Sequence, residues 1–175
     1  MSDLRSEKAL NVLLYVAGKL RRKGNLYWIL KAIYFADKKH LQRYGRQIFQ
    51  QDHMKLDWGN VPTYTYDIVS HVRGTKLQPH MPKNVKNRIK VDETNTVTPI
   101  EKPEMRYFSA SELKCLNSAI DAVKSLDFEQ LKNFSHRDPV FKKAKLKHYI
   151  PIEDIVATFS NAEELLEYIK NPHPG

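Results

Sequence analysis

Residues 4–44 carry an apolar stripe of helical period, broken once by a glycine, and this commits the chain to a helical architecture from its start. Leu10, Leu13, Leu14, Ala17 and Leu20 recur at helical spacing, and Val12 and Val16 widen the stripe, so a helix is predicted over 4–22. Arg21, Arg22 and Lys23 suit the negative end of its dipole, and Gly24 offers a left-handed stop. Asn25 can cap a second helix over 26–44, whose stripe runs Leu26, Ile29, Leu30, Ile33, Ala36, Leu41, Tyr44 before Gly45 ends it. Asp37 and His40 fall on the same stripe, because positions 33, 37 and 40 are helical neighbours. Two ionisable groups therefore stand where the pattern asks for apolar ones.

The rest of the chain reads as short elements. Met54, Leu56 and Trp58 alternate with Lys55 and Asp57, predicting a short extended piece broken by Gly59. Pro62 fits the first turn of a short helix to about His71, with Tyr64, Tyr66 and Val69 as its inward candidates. Residues 73–88 hold Gly74, Pro79, Pro82 and several lysines without periodicity and read as a loop. Ile89 and Val91, then Val97 and Ile100, flank a polar stretch as in a small hairpin. Ser109 with Glu112, Asp127 with Gln130, and Ser160 with Glu163 have the spacing of capping boxes, each opening a helix. Asp138-Pro139 restarts a helix to about Lys145, and 151–159 reads as one further helical segment. The expected fold is mainly α: one compact helical domain over 1–175, with a short hairpin and small extended segments between two helical halves, and the 73–88 loop between them.

Composition narrows the class. A single cysteine, Cys115, excludes an intramolecular disulfide and a four-thiolate zinc site, and fits a reducing, cytoplasmic compartment. It is expected on the polar side of its helix. No apolar run approaches the roughly 20 residues that span a bilayer, and the charged N-terminus lacks a signal-peptide core, so no membrane association is expected. The formal net charge of +9 suits a nucleic acid, an anionic membrane or an acidic protein without choosing among them, and solvated surface lysine accounts for it equally well.

Catalytic signatures are missing. The chain has no nucleophile elbow, P-loop or dinucleotide fingerprint, and its seven histidines show no zinc spacing, so neither an enzyme nor a metal or cofactor site is expected. Asp52-His53 near Asp57 lacks the third partner that a metal or acid–base site needs. Ser135-His136 lacks an oxyanion-hole signature, so capping by Ser135 and core hydrogen bonding by His136 are the better readings. Asp37 must be paired or hydrogen-bonded if buried. Lys31, Lys38 or the Trp58-Gly59-Asn60 turn are its expected partners, which leaves two roles open: an ion pair joining the helix to that turn, or an acid that meets a partner at a groove.

From Leu30 to Asp67 a family resemblance emerges. Leu30-Lys31-Ala32-Ile33-Tyr34-Phe35-Ala36-Asp37 resembles the characteristic helix of the Panacea-domain family, the SocA-like antitoxins of bacteria and their phages. His40-Leu41 and Tyr44-Gly45-Arg46-Gln47-Ile48 are similar to its helix end and glycine turn. Asp52-His53, then Trp58-Gly59-Asn60-Val61-Pro62 and Tyr66-Asp67, resemble the block that follows. Phe108-Ser109 with Glu112, and Ser135-His136, resemble its second half. The chain departs from the pattern at Asn60, where the family has proline, and at Phe141, where tryptophan is expected. The resemblance implies an antitoxin that neutralises a cognate toxin by direct protein binding. Alarmone-synthetase-like translation inhibitors are among the toxins implied, and delivery of a toxin to a protease is an alternative route.

On this reading Tyr27, Trp28, Lys31, Tyr34, Phe35 and Lys38 form an aromatic–basic face on the second helix, and Lys31, Tyr34, Phe35, Asp37 and Lys38 meet the toxin, unless Trp28 and Phe35 pack against the second half instead. His40, Tyr44, Gly45, Asp52, Trp58, Gly59, Pro62, Ser135 and His136 support it. The alternative is a basic nucleic-acid-binding or transcription-autoregulating module. It would use Lys19-Leu20-Arg21-Arg22-Lys23, the lysines at 76, 83, 86 and 90, and Lys142, Lys143, Lys145 and Lys147.

Overall fold

In the computed structural model, which describes residues 3–21 and 24–171, the first predicted helix is α1 (Leu4–Leu20). The expectations for Arg22, Lys23 and Pro172 lie outside the described residues. Asp3 caps α1 by accepting from the Ser6 N–H at 2.6 Å. Arg21, not Gly24, ends α1, at φ 47° and ψ -104°, which is not the left-handed helical stop expected. Gly24 is needed for another reason. A Cβ there would stand 3.0 Å from Arg21 O and 3.1 Å from Val97 O, and the Gly24 carbonyl accepts from Val97 N at 2.8 Å.

α2 (Leu26–Tyr44) begins at the predicted Asn25 cap and ends at Gly45 in the left-handed conformation, φ 71°. A Cβ at Gly45 would meet the Tyr168 ring at 2.9 Å, so that close approach also requires glycine. Leu10, Leu13 and Leu14 of α1 are fully buried together with Ile29 and Ile33 of α2. Each such side chain contributes about 2 kcal/mol by leaving water. α2 also packs along α4 (Ala110–Val123), which lies in the second half of the chain, so the core is built from both halves.

The segment after Gly45 is a hairpin rather than one extended piece. β1 (His53–Leu56) pairs antiparallel with β2 (Gly59–Pro62), with His53 opposite Pro62 and Leu56 opposite Gly59. Gly59 opens the second strand instead of breaking the first. α3 (Thr63–Arg73) follows at once. It buries Val69 as predicted, but Tyr66 faces solvent and Ile68 takes the inward place. The 73–88 loop is tethered rather than a free linker. Tyr64 donates to His80 O at 2.7 Å, and Val85 is buried in a 3-10 turn over Val85–Asn87. β3 (Ile89–Val91) and β4 (Val97–Pro99) form the expected small hairpin.

Both local capping boxes, Ser109/Glu112 on α4 and Asp127/Gln130 on α5 (Phe128–His136), form with both reciprocal bonds. The third does not: α8 (Ala162–Lys170) starts at Asn161 with no side-chain cap. Cys115 is fully buried in the α1–α2–α4 core, not on a polar face, because α4 is covered by α2 along that side. α6 (Pro139–Lys143), β5 (Tyr149–Ile150) and α7 (Ile152–Val156) complete the chain between α5 and α8. β5 adds to β1, giving a three-stranded sheet ordered β2-β1-β5. Leu41, Val140, Ile150, Ile155, Val156, Phe159 and Leu165 form a second, smaller core under these elements. The fold is mainly α with short antiparallel sheets. No described helix is long and apolar enough to cross a membrane.

Candidate protein-binding site

Four ionisable residues of α2 that the sequence offered as site residues lie inside the fold, not on a surface. Lys31, Tyr34, Asp37 and His40 are all buried, and each is satisfied by an element that arrives later in the chain. Lys31 reaches beneath the β1–β2 hairpin and donates to Asn60 O at 2.8 Å, with its ammonium 5.3 Å from the Tyr27 ring centroid. Burial lowers its pKa to about 7, and the nearby Asp138 charge opposes only part of that. Gly59 makes this possible. It has φ +119°, and a Cβ there would lie 2.4 Å from Lys31 Nζ and 3.1 Å from Ser135 Cβ.

Tyr34 donates to Asp138 Oδ2 at 2.5 Å and accepts from Asn60 Nδ2 at 3.0 Å. Burial first, then the Asp138 charge, pushes its phenol well above the usual value. Asp138 also accepts from Lys38 Nζ at 2.6 Å and from Val140 N at 3.1 Å, so one carboxylate caps α6 and ties it to α2. Asn60, where the family pattern has proline, thus contributes through both its carbonyl and its amide.

Asp37 takes none of its expected partners. Lys31 goes to Asn60 and Lys38 to Asp138. The Asp37 carboxylate accepts from Ile48 N at 3.0 Å and from Gln51 Nε2 at 3.2 Å. Gln51 Oε1 in turn accepts from Thr65 N at 3.3 Å and Oγ1 at 3.2 Å, extending the chain of bonds to α3. His53 Nε2 lies 3.5 Å from Asp37 Oδ2, too far for a full hydrogen bond. Asp37 therefore joins α2 to the 46–53 segment, not to the Trp58 turn.

His40 places Nδ1 2.7 Å from Arg46 O and Nε2 3.0 Å from Ser111 Oγ. A carbonyl only accepts, so Nδ1 carries the proton there. Glu112 receives Lys8 and Arg46, each at 2.7 Å. Burial raises its pKa, but the bonds from Lys8, Arg46 and the Ser109 N–H outweigh burial and leave the carboxyl below its ordinary value.

The remaining predicted residues divide between support and surface. Phe35 is half-buried edge-on to Phe134, ring centroids 4.8 Å apart, so it packs on the second half. Tyr44 is exposed and tilts over His40. Asp52 is exposed, and its carbonyl accepts from Thr63 N at 2.9 Å. Pro62 leads into α3. Ser135 is buried behind Gly59 and caps nothing, since Asp138 holds the α6 cap. His136 stacks flat on Phe141, centroids 4.4 Å apart and planes 7° from parallel, with Lys55 Nζ 4.1 Å from the same ring. Phe141 thus fills the tryptophan place with a stacking ring.

What reaches solvent is a ridge of aromatic rings. Trp58, in the β1–β2 turn, is 52% exposed, and Phe128, at the start of α5, is 39% exposed. Their centroids are 5.5 Å apart, and Tyr27 lies 5.1 Å from Phe128. The Tyr27 hydroxyl donates to Trp58 O at 2.9 Å, and Trp28 Nε1 donates to Leu126 O at 3.1 Å, so both flanks of the ridge are pinned. Lys132 sets its ammonium 5.7 Å from the Trp58 centroid. This ridge stands directly above the Lys31–Asn60 bond. Trp58 was legible in the sequence as a motif residue. Phe128 and Lys132 were not, because only the folded hairpin brings α5 against Trp58.

The arrangement offers aromatic contact area above a hydrogen-bonded base. A family model described as antitoxin SocA-like, Panacea domain, matches residues 29–141, more than half of the chain. No curated protein matches the chain, and no solved structure does.

Proposed function

The chain belongs to the SocA-like antitoxin family of Panacea-domain proteins, and from that membership we propose that it neutralises a cognate toxin in the cytoplasm by direct binding, without catalysing a reaction. The Tyr27–Trp58–Phe128 ridge, exposed at Trp58 and Phe128 and half-buried at Tyr27, carries this reading. Interface energy concentrates in a few aromatic and arginine side chains held in place before the partner arrives. Lys31, Tyr34, Asp37 and Lys38 act here as positioning residues that hold α2, the hairpin and α6 in register beneath the ridge. A toxin of the alarmone-synthetase-like kind would be silenced by covering its working face, and hand-over to a protease would use the same complex.

Members of the family are encoded beside their toxins, so the test is co-expression with the protein encoded beside this chain. That neighbour alone should arrest growth, and this chain should restore it and co-elute with the neighbour as one complex. Arrest that this chain does not relieve, with no complex on size exclusion, overturns the proposal.

A second reading, nucleic-acid binding, is favoured by one observation. Lys142, Lys143, Lys145 and Lys147 are exposed, and none forms an ion pair among the described residues. Binding of duplex DNA should then be detectable at low salt and fall steeply as salt rises. No binding at about 50 mM salt, where phosphate contacts are strong, removes this reading.

A further inference from the structure

We infer that the aromatic ridge receives a basic surface of the toxin, with arginine or lysine side chains laid on the Trp58 and Phe128 rings; this rests on the antitoxin reading above. The chain as a whole carries a formal charge of +9, yet the ridge is rimmed by carboxylates. Asp57 precedes Trp58 in the hairpin turn, and Asp127 and Glu129 flank Phe128, all three exposed to solvent. Local charge is therefore opposite in sign to the molecule's excess, which suits a cationic partner at this place alone.

The ridge already accepts a cation. Lys132 stands over the Trp58 face and is held only loosely, 3.5 Å from Glu129 and on an exposed pair. Such a pair contributes little, so an incoming guanidinium can replace the ammonium at small cost and stacks better on indole. The unpaired lysines at 142, 143, 145 and 147 lie on the α6–β5 segment. They would repel the same basic partner from that side and so favour approach at the ridge.

The experiment measures binding of the neighbour-encoded protein to the full chain and to three variants, each first shown by circular dichroism to keep the wild-type fold. Trp58→Ala should weaken binding by about thirty-fold or more, as a hot-spot aromatic does. Phe128→Ala should act in the same direction and serves if Trp58→Ala does not fold. The double variant Asp57→Lys, Glu129→Lys should slow association by about tenfold at low salt, a difference that closes at high salt. Wild type that binds and neutralises, beside folded variants that bind equally well, overturns the ridge and leaves the antitoxin reading standing. Tighter binding by the charge-reversed variant overturns the basic partner. Wild type that neither binds nor neutralises overturns both.

Discussion

The buried charges of α2 set the residue-scale behaviour of the molecule. Asp37 accepts only from donors, Ile48 N and Gln51 Nε2, with His53 behind. Asp37→Asn turns one of its oxygens into a donor facing donors, and should destabilise the fold by about 2–4 kcal/mol, measured by urea denaturation. Unchanged stability would mean that the carboxylate charge has no structural role. Lys31 gives a pH signature. Its pKa falls from 10.5 unfolded to about 7 folded, so between these values the unfolded chain holds a proton that the folded chain lacks. Stability from this site therefore rises with pH through that window and is flat below it. Wild type should gain about 2 kcal/mol over Lys31→Met between pH 7 and pH 9, at about 1.4 kcal/mol per unit of linked titration. A stability difference that does not change with pH would show that Lys31 keeps its proton in the fold.

At the scale of elements, the β1–β2 hairpin depends on Gly59. An added methyl meets φ +119° and the Lys31 ammonium together, so Gly59→Ala should cost about 2–4 kcal/mol. The Lys31→Met background should recover part of that cost in a double-mutant cycle. Ser109→Ala, which breaks a capping box, should cost only about 1 kcal/mol, read from the urea midpoint. These two elements also show what the sequence made legible. Capping boxes at Ser109 and Asp127 could be read because donor and acceptor lie three residues apart. The Ser160 box was misread because Asn161, one residue on, starts α8 instead. Asp37 was recognisable as a group needing a partner, but its partner lies on a segment with no periodicity of its own. Lys31 and Lys38 read in the sequence as partners of Asp37, but they bond Asn60 O and Asp138 instead. Asp138 was visible only as a cap, and nothing local marks its bond to Tyr34 across the molecule.

At the scale of the molecule, the chain's two helical halves share one core and several buried bonds. α2 lies along α4, and Tyr15 of α1 donates to Asn117 Oδ1 at 2.6 Å. Asn11 accepts from Glu104 N at 2.7 Å, Glu112 gathers Lys8 and Arg46, and Tyr34 meets Asp138. Each of these bonds loses its partner if one half unfolds, leaving buried polar groups that cost about 1–3 kcal/mol apiece. A state with one half folded therefore exposes the α2–α4 core and strands several charges, so it should not accumulate. Tryptophan fluorescence follows Trp28 and Trp58 in the first half, whereas far-ultraviolet circular dichroism follows helices of both halves. The two signals should trace one coincident urea transition. Separate midpoints would mean that the smaller core around Val140, Ile155 and Leu165 unfolds independently of the α1–α2–α4 core.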